Sequence, residues 1–200
     1  MSDPYRTAES ASPSEHAFPD SWVTEGHLRD GLDVVIRPIT PADASALQAF
    51  HATLSDATIY LRYFAPHPEL SPADLSHLTE VDYRDRVALV AFDGERLVGV
   101  GRFDRIDDVS AEVAFVVCDD HQGHGLGSAL LRRLTAAARD RGIARFVAEV
   151  LPQNGRMITT FEHCGLPVAR GYEDGVVQLS VDLNPGVGDS AGGDDARMDR

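Results

Sequence analysis

The chain has 200 residues, 43% hydrophobic and 25% charged, enough for one well-buried domain and short for two. Its net charge of −14 argues against nonspecific nucleic-acid or anionic-membrane binding, both of which need a cationic footprint. Two cysteines, Cys118 and Cys164, make neither a disulfide framework nor a zinc constellation; with no signal peptide or long apolar run, the expected compartment is a reducing cytoplasm.

Residues 1–30 are rich in Ser, Pro, Ala and Glu without a sustained period and are expected to be disordered. Leu32 to Ile39 reads as a first strand. Thr40-Pro-Ala-Asp43 then starts a helix, with Thr40 as N-cap and Pro41 at the first helical position. Ala44, Leu47, Phe50 and Leu54 follow at helical spacing. Ser55 to Phe64 predicts a second short helix, and Ser71-Pro-Ala-Asp74 opens a third. The period then changes to two. Arg86–Phe92 and Arg96–Phe103 form a hairpin around Asp93-Gly94-Glu95, and Ser110–Val117 returns as a third antiparallel strand. After a glycine-rich loop, a helix buries Leu126, Leu130 and Leu134 and stops at Gly142. Ile143–Leu151 is the next strand, parallel to Val113–Val117 if the helix is a right-handed crossover. A last helix from Asn154 to Cys164, a hairpin from Leu166 to Asp182 and a disordered tail over 184–200 complete the chain. One α/β domain with a mixed sheet, residues 31–183, is therefore expected.

The loop Gln122-Gly123-His124-Gly125-Leu126-Gly127, between a strand and a helix, reads as a cradle of backbone N–H groups at the positive end of a helix dipole. A pyrophosphate would sit there; the alternative is an ordinary glycine-rich turn. The Walker pattern is excluded because the chain contains no lysine, and the dinucleotide fingerprint because the glycine spacing is wrong. That all eighteen basic residues are arginine fits a GC-rich genome or, alternatively, selection against self-modification.

The spacing Gln122-x-x-Gly125-x-Gly127, with Ile36-Arg-Pro38 in the first strand and Asn154 followed by Gly165 eleven residues later, resembles the GNAT acetyltransferases. Within that family, Leu54 to Phe64, Val81-Asp-Tyr83 and Ser110 to Val117 are most similar to bacterial protein lysine acetyltransferases that modify AMP-forming acyl-CoA synthetases. Among these the mycobacterial type, which carries a preceding cyclic-nucleotide-binding domain, is most alike; 200 residues leave no room for that domain. The resemblance implies the GNAT fold, with a splayed strand pair holding acetyl-CoA, and a protein partner bearing an exposed lysine. Two other readings stay open: acetylation of a small amine, to which Glu69, Glu80, Asp82 and Asp85 would be attractive, and a non-catalytic acyl-CoA sensor.

Glu112 is the residue such chemistry needs, because a lysine amine is protonated at neutral pH. Glu112 shares a strand face with Ala114 and Val116, where partial burial would raise its pKa toward that of a useful general base. The competing reading is an ion pair with Arg102. By the same resemblance the backbone of Phe115, Val116 and Val117 would bind the pantetheine arm, with the Val117 N–H polarising the thioester carbonyl. Gln122, Gly123, His124, Gly125, Leu126, Gly127 and Ser128 would hold the pyrophosphate. Asn154 would bind the pantetheine amide or the substrate side, or serve only as an N-cap. Arg132 or Arg133 would meet the adenosine phosphate or form a solvated face. Phe161 stands where many family members place a tyrosine that protonates the departing thiolate. Tyr63, Tyr83 or Tyr172 could substitute, and no general acid is assigned. Cys118 and Cys164 are read as small apolar residues rather than acyl carriers, and no metal is expected.

Overall fold

A computed structural model describes residues 19–28 and 31–185. The chain makes strand β1 (Thr24–His27), strand β2 (Asp33–Pro38), helices α1 (Ala44–Ala52), α2 (Asp56–Tyr63) and α3 (Pro72–Thr79), then strands β3 (Arg86–Asp93), β4 (Arg96–Arg105) and β5 (Ser110–Val117). Helix α4 (Leu126–Asp140), strand β6 (Arg145–Val150), helix α5 (Gly155–Glu162) and strands β7 (Val168–Glu173) and β8 (Val176–Asp182) follow. One eight-stranded sheet runs in the order β1-β2-β3-β4-β5-β6-β8-β7, antiparallel throughout except between β5 and β6. The expected α/β mixed sheet, with its parallel pair bridged by α4, is the one observed.

The local signals act as their chemistry dictates. Thr40 and Asp43 form a reciprocal capping box, although the turn they start is 3-10 over Pro41–Asp43 before α1 begins. Ser71 and Asp74 repeat the device at α3. Helix α4 buries Leu126, Leu130, Leu131 and Leu134 against the sheet, and Phe103 and Phe146 meet beneath it with centroids 5.6 Å apart.

One boundary is corrected. Residues 19–28 belong to the segment read as disordered, yet they form a 3-10 turn and β1, which pairs with β2 from Thr24↔Ile36 to His27↔Asp33. The Arg141 guanidinium lies 4.9 Å from the centroid of the Trp22 ring. A four-residue strand has no period to read, and its order comes from a partner distant in sequence. The rest of that segment, residues 1–18 and 29–30, and the tail from 186 lie outside the described residues.

The feature that positions the site is a parting of strands. Strand β5 pairs with β4 over seven residues, from Arg105↔Ala111 to Gly99↔Val117. Its pairing with β6 covers only Ser110↔Arg145, Ala111↔Phe146 and Glu112↔Val147. Beyond Glu112, β6 continues alongside β8 as far as Val150↔Val177, so the two parallel strands follow different neighbours and open between them.

Candidate active site

The ladder decides which backbone groups face the opening. Ile106 N–H donates to the Ser110 carbonyl and Cys118 N–H to the Val98 carbonyl, each at 3.0 Å, and the register between them is unbroken. Even-numbered residues of β5 therefore turn N–H and C=O toward β4, and Val113, Phe115 and Val117 turn theirs toward the gap. Val116 is corrected on this ground: it lines the cavity, but its backbone N–H and C=O turn toward Val100 of β4. The Val117 carbonyl accepts from Gln122 Nε2 at 3.1 Å, which leaves its N–H as the group offered to a ligand.

A cavity of about 1250 Å³ fills the gap and runs to the glycine loop. Gln122, Gly123, Gly125, Leu126, Gly127 and Ser128 all line it. His124 does not, although its neighbours on both sides do. Gly125 is the N-cap of α4 at φ 90°, with no side-chain cap, so the first N–H groups of a fifteen-residue helix are presented to the cavity. Gly127 lies inside the helix and its role is steric: a Cβ there would meet the Phe115 ring at 3.2 Å. These residues fit an anionic pyrophosphate, because the first N–H groups of the helix face the cavity and nothing lies within 4 Å of a Cβ built on Gly123.

Loop and helices are tied together by polar contacts. Asp119 accepts from Ser55 N–H at 3.0 Å, Ser55 Oγ at 2.7 Å and Thr58 Oγ1 at 2.8 Å, fixing the start of α2 to the loop. Gln122 Nε2 also donates to Thr58 Oγ1, and Gln122 Oε1 accepts from Arg156 at 2.8 Å. His121 is buried between Asp120 and Asp93, at 2.7 and 3.2 Å. Arg96, followed by the Cys118 thiol and His121, holds the Asp120 carboxyl well below the usual carboxylate range. Burial, reinforced by Asp120, pushes the Cys118 thiol up to about 12. Cys118, Asp120 and His121 bring their donor atoms within 4.8 Å of one another. They already hydrogen-bond among themselves, and no metal is assigned to them.

Glu112 lies at the root of the gap, lining the cavity and exposed, on the same sheet face as Ala114 and Val116. Two expectations change. The partial burial expected of it is not found, and Arg102 pairs with Asp104 at 3.2 Å instead of with Glu112. Asp104 sits directly opposite Glu112 and takes Arg86 as well, so those arginines are occupied one strand away.

Asn154 lines the cavity and caps α5, its Oδ1 accepting from Met157 N–H at 3.2 Å; the N-cap reading is the one observed, and the cap uses the oxygen while the amide nitrogen remains a donor. Phe161 is buried against Phe115 with centroids 5.4 Å apart. Of the three tyrosines considered as acids, Tyr63 lines the cavity, its phenol pushed up by burial. Tyr83 donates to the Ile39 carbonyl, and Tyr172 is 69% exposed on the outer strand. Arg132 and Arg133 are not in the lining. Arg62 and Arg156 are, and sequence reasoning passed over both. The available signal for Arg156 was its place two residues after Asn154, in the first turn of a helix, where a cation opposes the dipole unless something else requires it. Three of the four acidic residues weighed for a polyamine are engaged elsewhere: Asp82 accepts from the N–H groups of Arg84, Asp85 and Arg86, Asp85 pairs with Arg105, and Glu80 takes Ser76.

A parted parallel strand pair opening onto an uncapped helix start offers backbone donors to an extended, anionic ligand of the acyl-CoA kind. The description "Acetyltransferase (GNAT) family" matches residues 54–166, more than half of the chain, and the protein belongs to that family. It is 38% identical over 128 residues to "Acetyltransferase PA5475" of Pseudomonas aeruginosa, covering 62% of this chain and 68% of that protein. It is 35% identical over 163 residues to "Acetyltransferase Pat" of Mycolicibacterium smegmatis, covering 79% of this chain and 48% of Pat, so it spans about half of that relative. The crystal structure of the GNAT domain of S. lividans PAT superposes with a TM-score of 0.79 at 44% identity, over 83% of this chain and 99% of that domain. The yncA protein of Salmonella typhimurium, solved with acetyl-CoA, gives 0.60 at 26% identity over 79% of this chain and 98% of that one.

Proposed function

We propose that the protein moves the acetyl group of acetyl-CoA to the ε-amine of a lysine on another protein, by direct attack in a ternary complex. The observation that carries this reading is the gap itself: Val117 N–H faces a cavity that has a carboxylate, Glu112, at its root and a helix start at its far end. Similarity to the PAT domain and to Pat supports the choice of family branch.

In this mechanism α4 and the Gly123–Gly127 loop bind the pyrophosphate, and Phe115 pairs with the pantetheine as an added strand would. Glu112, directly or through water, takes the proton of the substrate ammonium. The free amine forms the N–C bond, Val117 N–H stabilises charge on the carbonyl oxygen, the C–S bond breaks, and the proton lost by the new amide nitrogen passes to the departing coenzyme A thiolate. A thiol-like pKa near 8.5 makes that leaving group tolerable without a dedicated acid.

The test is incubation with labelled acetyl-CoA and a panel of purified proteins that includes an AMP-forming acyl-CoA synthetase, with a polyamine and an aminoglycoside assayed in parallel, followed by mapping of modified lysines. Label on specific lysines is expected; label on small amines alone would reject the protein substrate. Acetyl-CoA binding with no transfer to any acceptor would favour a sensor.

A further inference from the structure

We propose that Glu149 receives the ammonium group of the incoming amine before Glu112 takes a proton from it, a role that rests on the acetyl-transfer reading above. Glu112 and Val147 are paired across β5 and β6, and paired residues share a sheet face. Two residues along β6, Glu149 returns to that face, at the level where the strands have parted. Both carboxylates line the cavity.

Their surroundings divide the work. A third lining carboxylate, Asp119, is saturated by Ser55 and Thr58. Glu149 has as partner Gln178, its neighbour on β8, whose Nε2 donates to Oε1 at 2.9 Å. A neutral amide orients the carboxylate without cancelling its charge, as an arginine at that place would, and acceptor capacity remains for a cation. The site is also approachable: helices α1 and α2 pack on β4 and β5, while on the outer strands Arg145, Glu149, Ala169 and Gly171 are exposed on this same face. A lysine carried on a folded surface can therefore reach Glu149, in the same cavity and on the same sheet face as the carboxylate that deprotonates it. Because Glu149 favours the charged amine, it acts in capture rather than in the chemical step.

The experiment measures binding of N-α-acetyl-lysine methylamide to enzyme saturated with coenzyme A, by NMR titration, with the uncharged norleucine analogue as control. Glu149→Gln is expected to weaken lysine-probe binding about tenfold, the loss of one charge-assisted hydrogen bond, without altering the control. Glu149→Asp recovers part of the affinity, and Glu112→Gln keeps it. In the transfer assay the Glu149→Gln defect falls mainly on KM for the acceptor. Equal probe affinity in wild type and Glu149→Gln, or no binding of the probe to wild type, overturns the proposal, as does a defect confined to kcat. A normal transfer rate in Glu112→Gln would instead reject the base assignment and leave the ammonium measurement standing.

Discussion

Single side chains at this site divide into those that present a charge and those that hold a loop. Glu112 presents a charge, and replacing it with Gln removes the proton acceptor while keeping the shape. A fall in kcat of roughly 10²–10⁴ is expected, with acetyl-CoA affinity near normal by calorimetry, since the cofactor cradle is backbone several residues away. An unchanged rate would remove Glu112 from the mechanism. Cys118 belongs to the second kind. With its thiol buried and pushed up to about 12, the thiolate fraction at pH 8 is negligible, so iodoacetamide should label the more accessible Cys164 and spare Cys118. Mass spectrometry after limited labelling reads the order directly, and modification of Cys118 first would contradict the hydrogen bonding drawn around it. Much of this was legible beforehand. Glu112 among alternating apolar neighbours, and a glycine loop ahead of an amphipathic helix, are patterns along the chain. Glu149 and Arg156 were not legible, because each matters only through what the fold sets across from it.

At the scale of elements, the joint between β2 and α1 carries a dense polar cluster outside the cavity. Arg37 approaches both carboxylate oxygens of buried Asp43, at 2.6 and 2.8 Å, and Thr40 donates to the same group through its N–H and Oγ1. Burial alone would raise the Asp43 carboxyl, but these donors outweigh it and hold it below its ordinary value. A depressed carboxylate contributes stability that is fully present above the unfolded pKa, about 3.9, and is lost as pH falls through the folded value. Asp43→Asn should therefore cost about 1–3 kcal/mol at neutral pH, leaving Arg37 without its anion, and should flatten the acid limb of the stability curve. Denaturant melts from pH 7 to pH 3 test both. The capping box was readable from Thr40-Pro-Ala-Asp43 alone. The ion pair with Arg37 was not, since it needs the strand and the helix to meet.

For the whole molecule, the question is where the folded unit begins. The sequence places its start near residue 31, and the structure adds β1 and Trp22 to the sheet edge. A chain trimmed to 19–185 keeps every contact described above and is the reference. One trimmed to 31–185 loses the β1 ladder and the Trp22–Arg141 stack, and its Tm should fall by several degrees, roughly 2–4 °C for each kcal/mol lost in a domain of this size. Identical melting of the two trimmed chains would show that β1 adds nothing to stability.

What the sequence determined by itself was set by short-range physics: strand and helix periods, capping residues, the glycine loop, and the strand carboxylate that follows from alternation. Those constraints act within a few residues, so they can be read without knowing the fold. Tertiary structure alone decided that β6 leaves β5 after Glu112 to follow β8, which opens the cavity and turns Val117 N–H into it. It also decided that Arg102 serves Asp104, and that Glu149 shares a face with Glu112. Pairing between strands far apart in sequence depends on how the whole sheet shares out its hydrogen bonds and twist, and no local pattern encodes that division.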